Sequence, residues 1–296
     1  MISPRTKILL TSLNRQQRRL SASNLDDARV YFEKICRSNQ KPNIRNVYEK
    51  QINSHGQPIT LRVYEGNVAK PTIIYFHGGG FVVGSIDSHD TVARHLCKTT
   101  GSTVVSVNYR LAPEYPYPAA SQDGLATVKW LHDSELNPNF ILSGDSAGGQ
   151  IAVMVALGLT ERQRHYLQSL ILMYPALDPA LKSPSMQKFA QGFFVSKENM
   201  QYFWNAYQGQ SHIGWPLKQN QLKKLPRTLI LTAEYDILRD EALEFFEHLR
   251  KAGVEAEYHS YKGAVHGLMQ MPSFVNKRSR ALNDIFRFVK SSKLSN

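Results

Sequence analysis

The sequence predicts an α/β fold in which a mostly parallel sheet is covered by helices on both faces. Short segments rich in Val, Ile and Leu alternate with longer segments whose apolar residues recur at helical spacing. Strands that are apolar throughout are buried on both sides, as in a parallel sheet between helical layers. One serine, Ser146, also stands between two glycines where a strand changes into a helix.

The predicted elements follow one another in a regular order. Residues 1–40 have a helical pattern, which Pro42 ends. Strands are then expected at 59–64, 72–76, 103–109, 140–142, 169–174, 228–233 and 255–261. Helices are expected at 89–99, 119–132, 149–160, 240–252 and 274–290. An irregular, aromatic-rich stretch interrupts this order from about 180 to 225, and its aromatic side chains must be buried somewhere.

Length and composition limit the classes of function. A chain of 296 residues is long enough for one large α/β domain. The net charge of +12 would suit an anionic partner, but no recognition motif accompanies it, so nucleic-acid binding is not expected. No apolar stretch has the length of a transmembrane helix or a signal sequence, and Cys36 and Cys97 form no C-x-x-C motif. A cytoplasmic protein without stable membrane insertion is the expectation.

Ser146 is the candidate nucleophile, at the apex of the sequence Gly144-Asp-Ser-Ala-Gly148. A serine on such a strand–turn–helix corner projects from the sheet, where a base can reach its hydroxyl. The two glycines leave room for the turn, because a Cβ at either position would crowd the neighbouring strand or helix. The motif alone is weak, since roughly one chain of this length in ten would carry it by chance.

Asp236 and His266 are the candidate acid and base. A serine hydroxyl attacks when a base takes its proton and a carboxylate orients that base. In this architecture the carboxylate and then the histidine follow the serine along the chain. Asp236 comes three residues after the strand 228–233, and His266 five residues after the strand 255–261. Both therefore lie at the carboxyl ends of strands, where ligands bind in such sheets.

Other acidic residues near Asp236 fit the role less well. Glu234 is closer to the strand end, but glutamate is the less usual residue type at this position. Asp240 and Glu241 are interpreted as charges at the start of a helix.

The glycine run His77-Gly-Gly-Gly80 supplies the expected oxyanion hole. It follows a buried strand, and backbone N–H groups without a neighbouring Cβ can approach a substrate oxygen closely. We assign the N–H groups of Gly78, Gly79 and Ala147 to this hole. His77 is interpreted as a residue that holds the loop rather than as a base.

Five motifs stand in order along the chain: His77-Gly-Gly-Gly80, Tyr109-Arg-Leu-Ala-Pro-Glu114, Gly144-Asp-Ser-Ala-Gly-Gly149, Asp236-Ile-Leu-Arg-Asp-Glu241 and His266-Gly267. Together they resemble the hormone-sensitive-lipase-like family of carboxylesterases. The resemblance implies a single α/β-hydrolase domain over residues 1–296, with the triad Ser146–Asp236–His266. It implies that the protein hydrolyses small-molecule substrates, namely short- to medium-chain acyl esters, and that it uses no cofactor and no metal.

The resemblance also implies a helical cap, formed by about residues 1–45 and about residues 180–225. It gives the Tyr109–Glu114 loop a bracing role, and we expect Arg110 and Glu114 to form an ion pair there. A homodimer through edge strands or closing helices is compatible with it.

Two other functions remain open at this stage. The same triad would hydrolyse amides or peptides if the pocket accepted them, because the fold does not determine the leaving group. A non-catalytic binding protein on a hydrolase fold is the other alternative. A missing triad member would indicate it, but all three residues are present here.

Overall fold

An eight-stranded sheet forms the centre of this computed structural model. The strands are β1 (Val47–Ser54), β2 (Gln57–Tyr64), β3 (Thr72–Phe76), β4 (Val104–Asn108), β5 (Phe140–Asp145), β6 (Leu167–Met173), β7 (Thr228–Tyr235) and β8 (Ala256–Val265). They lie in the order β1-β2-β4-β3-β5-β6-β7-β8. β2 is antiparallel to both of its neighbours, whereas the strands from β3 to β8 run parallel. The predicted mostly parallel sheet is therefore confirmed.

Ten helices accompany the sheet in the described part of the chain. They are α1 (Leu25–Cys36), α2 (Asp90–Thr100), α3 (Ala119–His132), α4 (Ala147–Gly158), α5 (Glu161–Arg164), α6 (Pro184–Lys188), α7 (Lys197–Tyr207), α8 (Gln219–Leu222), α9 (Arg239–Lys251) and α10 (Val275–Ser291). The structure describes residues 24–37, 41–208, 217–271 and 274–291, together with 4, 6–8, 10 and 11. Most of the helix predicted before residue 24, and Trp215 of the aromatic-rich stretch, lie outside these ranges.

The two faces of the sheet carry separate apolar cores. Successive strand residues point to opposite faces, so Phe140 and Leu142 of β5 pack with α3, α4 and α9, whereas Ile141 packs with α2 and α10. All residues of β3 and β5 are buried. This double covering explains why the strands are apolar throughout.

The structure differs from the sequence-based expectation at several strands. β5 continues to Asp145, past its expected end at residue 142. β1 is not predicted, because its residues are mostly polar and exposed, and pairing along the whole length of β2 defines it. β7 and β8 each run further than expected, past an irregular register between Ala233 and Tyr235. As a result, Asp236 and His266 each follow directly after the last residue of their strand. No helix in the described residues is long and apolar enough to span a membrane.

Glu241, interpreted from the sequence as a charge at the start of a helix, lies in the first turn of α9 and is buried there. Its Oε1 atom accepts hydrogen bonds from the N–H groups of Leu177, at 2.7 Å, and Asp178, at 3.3 Å. Burial raises the pKa of Glu241 well above its ordinary value. The folded protein therefore binds this proton more tightly than the unfolded chain. The stability that this group contributes is present at low pH and is lost as pH rises through the raised pKa.

We predict that Glu241→Gln becomes more stable relative to the wild type as pH rises. Glutamine keeps the oxygen that accepts from Leu177 and Asp178 but carries no charge that burial would penalise. Urea denaturation at about pH 6 and about pH 9 would measure the free energy of unfolding of both proteins. The exposed Glu244→Gln on the same helix is the control. If the free energy of unfolding changes with pH by the same amount in the wild type and in Glu241→Gln, the prediction is contradicted.

Candidate active site

Ser146 lies on the tight turn between β5 and α4. Its φ of 53° and ψ of −121° are rarely adopted by a residue with a side chain, so the surrounding structure must hold it there. A Cβ at Gly144 would overlap the backbone of Gly148, and a Cβ at Gly148 would overlap the carbonyl of Phe76 in β3. The steric reason predicted for these two glycines is therefore confirmed.

The turn brings Ser146 into hydrogen-bonding distance of His266. The Ser146 Oγ atom lies 3.0 Å from His266 Nε2, and His266 Nδ1 lies 2.9 Å from Asp236 Oδ2. All three side chains are buried, and Asp236 is fully enclosed. An Nδ1–H that donates to the carboxylate leaves the Nε2 lone pair directed at the serine hydroxyl. This arrangement is able to remove the serine proton.

The glycine run after β3 reaches the same site, but one of the assigned donors is occupied. The Gly78 N–H donates to Asp145 Oδ1 at 2.9 Å, which contradicts its assignment to the oxyanion hole. The competing acceptor is the carboxylate directly before the nucleophile. Among the described residues, the N–H groups of Gly79, Gly80 and Ala147 donate to no other group. Gly80, the third glycine of the run, therefore has a free N–H group that the assignment from the sequence did not include.

Asp145 is a buried carboxylate with several donors. Besides Gly78, its Oδ1 atom accepts from the Tyr75 hydroxyl at 2.6 Å, and its Oδ2 atom accepts from Gln270 Nε2 at 3.0 Å. Burial acts to raise the pKa of Asp145, but the nearby His89 and the hydrogen bonds outweigh it, so the pKa lies below its ordinary value. Asp145 is therefore ionised and holds the glycine loop by a charge-assisted hydrogen bond.

His77 holds the loop, in agreement with its interpretation from the sequence. Its ring stacks on Tyr109 with centroids 4.2 Å apart, and the Tyr109 hydroxyl donates to the His77 carbonyl at 2.8 Å. Burial, with a smaller effect of His89, lowers the pKa of His77 to about 3. The ring is thus neutral at physiological pH, and it lies too deep in the protein to contact a substrate.

The expected ion pair between Arg110 and Glu114 does not form. Arg110 pairs instead with the buried Asp123, with Nη2 and Oδ1 2.8 Å apart. The Glu114 carboxylate accepts hydrogen bonds from both terminal nitrogens of Arg29, each at 2.7 Å. Arg29 belongs to α1, and its Nε atom also donates to the Val82 carbonyl beside the glycine run, at 3.0 Å. Nothing in the spacing of the motif indicates that a distant helix supplies this partner.

A cavity of about 600 Å³ opens onto the serine and the histidine. Its walls are mainly apolar and come from α1, from α7 with the segment before it, and from the glycine loop. The described residues that line it include no lysine and no arginine. Its apolar lining residues include Phe32, Ile35, Val83, Phe194, Val195, Met200 and Phe203. The described residues contain no cluster of three or more side chains arranged to hold a metal ion.

The fold is that of the α/β hydrolases, and comparison with known proteins agrees. Residues 73–270 match the family of proteins with the alpha/beta hydrolase fold. The chain is 31% identical over 293 residues to esterase LipI of Mycobacterium tuberculosis, with 93% of this chain and 91% of that one covered. The structure of a hyperthermophilic esterase from the archaeon Pyrobaculum calidifontis superposes with a TM-score of 0.87, at 31% identity, over 98% of both chains.

A plant receptor is also among the relatives. The gibberellin receptor GID1C of Arabidopsis thaliana is 32% identical over 237 residues, with 74% of this chain and 68% of that protein covered. The chain belongs to the α/β-hydrolase family, and its relatives confirm the resemblance to the hormone-sensitive-lipase-like carboxylesterases.

We predict that Arg29→Ala costs more stability than Glu114→Ala. The ion pair is partly exposed and contributes up to about 1 kcal/mol, whereas the arginine change also removes its hydrogen bonds to the carbonyls of Val82 and Ala112. A double-mutant cycle measured by urea denaturation would separate the pair from the carbonyl contacts. Equal losses of unfolding free energy in the two single variants would mean that the bonds from Arg29 to the two carbonyls contribute nothing, which would contradict the prediction.

Proposed function

We propose that the protein is a serine carboxylesterase that hydrolyses short- to medium-chain acyl esters through an acyl-enzyme. The observation that carries this proposal is the hydrogen-bonded series Ser146–His266–Asp236 at the floor of an apolar cavity. The cavity admits a small ester, and the series supplies the nucleophile and base that cleave it.

In the first half of the reaction, Ser146 Oγ attacks the ester carbonyl while His266 Nε2 takes the serine proton. Asp236 keeps the imidazole oriented and stabilises its positive charge. The tetrahedral intermediate collapses, the bond to the alcohol oxygen breaks, and His266 returns its proton to that oxygen. A water molecule then attacks the acyl-serine by the same steps and releases the acid.

The negative oxygen of the intermediate binds, in this proposal, to the N–H groups of Gly79, Gly80 and Ala147. These groups have no acceptor within the described residues, in contrast to Gly78. Ala147 is the first residue of α4, so its N–H also lies at the positive end of the helix dipole. Gly80 has a φ of 60°, and a Cβ there would overlap the Phe203 ring, which explains the need for glycine.

An uncharged, largely apolar ester is the substrate that the cavity favours. Its volume lies within the range of about 300–1,000 Å³ that is typical of small-molecule sites. A substrate carboxylate would meet no lysine or arginine among the described residues of the lining and would face Asp27 of α1 instead. Burial of a charged group without a partner is costly, so neutral acyl and alcohol groups are preferred.

We infer that α1 and α7 belong to the cap expected from residues 1–45 and 180–225. Both contact the glycine loop of the oxyanion hole. Arg29 of α1 binds the Val82 carbonyl, and Phe203 of α7 lies on Gly80. The Phe81 ring stacks on Tyr207 of α7 with centroids 3.9 Å apart. The cap therefore supports the loop that stabilises the oxyanion, as well as covering the substrate.

A receptor function is the alternative from another class, because one relative is named a gibberellin receptor. The complete triad favours catalysis over binding alone. An amidase with the same triad would be identified by turnover of p-nitroanilides.

A cytoplasmic location and a homodimer also belong to this proposal, and size-exclusion chromatography with light scattering would test the dimer.

We predict that the wild type hydrolyses p-nitrophenyl esters with a maximum between acetate and octanoate, and that Ser146→Ala loses this activity. The loss in kcat should be on the order of 10⁴-fold or more, because removal of the nucleophile stops acyl-enzyme formation. The exposed Ser260→Ala is the matched control and should retain wild-type rates.

Three outcomes of this ester series would contradict the proposal. A folded wild type without activity on any ester would exclude the esterase. Saturable binding of an ester without turnover would favour a receptor. Activity that survives in Ser146→Ala would mean that another residue is the nucleophile.

A further inference from the structure

Gln270 lies on the loop that carries His266. The loop turns sharply at Gly267, which has a φ of 77°, and the Gln270 N–H donates to the Gly267 carbonyl at 3.0 Å. After this turn the glutamine side chain reaches Asp145, the last residue of β5. Gln270 is partly buried and also borders the substrate cavity.

The amide of Gln270 joins two buried groups. Its Nε2 atom donates to Asp145 Oδ2 at 3.0 Å and also makes a short contact with Nε2 of His89, whose side chain is fully buried. An ionised carboxylate only accepts hydrogen bonds, so the NH₂ group, and not the oxygen, must face Asp145. The orientation of the amide is therefore determined by its partner.

The Gln270 amide determines which ring nitrogen of a neutral His89 carries the proton. The NH₂ group that faces Asp145 can only donate to His89 Nε2, so the ring proton is on Nδ1. His89 Nδ1 then donates to Ser88 Oγ, 2.9 Å away, and the Ser88 hydroxyl donates to the Ser85 carbonyl at 3.0 Å. Both amide hydrogens are thus engaged.

The two oxygens of Asp145 hold two different loops of the site. Oδ1 accepts from the Gly78 N–H of the oxyanion loop, whereas Oδ2 accepts from Gln270 of the histidine loop. Asp145 itself directly precedes Ser146. The nucleophile, the oxyanion loop and the base are therefore connected through one buried carboxylate, and Gln270 provides the link to the base.

We propose that Gln270 is a positioning residue for ester hydrolysis. Its hydrogen bond to Asp145 keeps His266 at the correct position relative to Ser146 and the oxyanion loop. This inference rests on the proposed esterase function. Without the link, the histidine loop is free to shift relative to the turn at Ser146. Misplacement of a catalytic group by about 1 Å costs on the order of 100-fold in rate, so kcat should fall by about 10- to 100-fold.

The first test compares Gln270→Leu with the wild type on p-nitrophenyl acetate and hexanoate. Leucine has a similar size but no hydrogen-bonding group. A positioning role predicts the same fall in kcat for both esters with little change in KM. If Gln270 only lines the cavity, the loss will depend on acyl length and appear in KM, which would overturn the proposal. Gln201→Ala on the exposed face of α7 is the control.

The second test uses Gln270→Glu and the dependence of its activity on pH. A protonated glutamic acid donates to Asp145 Oδ2 and replaces the amide, whereas an ionised one repels that carboxylate. The ratio of variant to wild-type kcat should therefore be highest near pH 5.5 and fall as pH rises, whereas the ratio for Gln270→Leu stays flat. A flat ratio for Gln270→Glu would overturn the proposal.

Other titrating groups around position 270 are common to both proteins and largely cancel in this ratio. They belong to every element that packs around the glutamine. α1 contributes Asp27, Tyr31 and Cys36, and β3 with the residue after it contributes Tyr75 and His77. The others are His89 before α2, Asp145 of β5, Tyr174 after β6 and His266.

A readout that is independent of turnover separates failure of this inference from failure of the esterase proposal. Because His266 Nδ1 lies 2.9 Å from Asp236 Oδ2, we expect the proton between them to give a downfield NMR signal whose position reports the placement of the imidazole. It should shift in Gln270→Leu and stay unchanged in Gln201→Ala, with thermal melting as a check of folding. An unchanged signal in folded Gln270→Leu would overturn the positioning role whether or not the wild type hydrolyses esters.

Discussion

The tight turn between β5 and α4 is the constraint on which the rest of the site depends. Strand, serine and helix fit together there only because Gly144 and Gly148 have no Cβ, and Ser146 adopts a backbone conformation that the surrounding packing has to enforce. The turn lies in the middle of a sheet that is buried on both faces, and this burial supplies the stability that the strained residue requires. The position of the serine hydroxyl therefore depends on the core as much as on the motif.

Much of the fold and the triad was predictable, because local patterns determine them. Strands buried on both faces are apolar throughout, and the chain order of serine, aspartate and histidine places all three at one edge of the sheet. The strand β1 was not predictable in this way, because its polar residues take their conformation from pairing with β2. The extensions of β7 and β8 likewise depend on pairing past an irregularity that no local pattern indicates.

Contacts between distant segments account for the errors within the site. Gly78 is suited by type to an oxyanion hole, yet the carboxylate of Asp145 occupies its N–H. Glu114 stands near Arg110 in the sequence, but Arg29 approaches from a helix far away along the chain. Residue type and spacing identify the groups that take part in such a site. The allocation of each donor to an acceptor follows only from the three-dimensional arrangement, and it also determines how the cap and the histidine loop connect to the nucleophile.

The most direct test of this account is to trap the nucleophile with a p-nitrophenyl alkylphosphonate. The account predicts release of about one equivalent of p-nitrophenol per chain, with the phosphonyl group on Ser146 when the modified protein is mapped by mass spectrometry. Such a result would show that the serine on the turn is activated, whichever ester is the natural substrate. A modification on another residue, or none at all in folded protein, would contradict the central claim that Ser146 is an activated nucleophile.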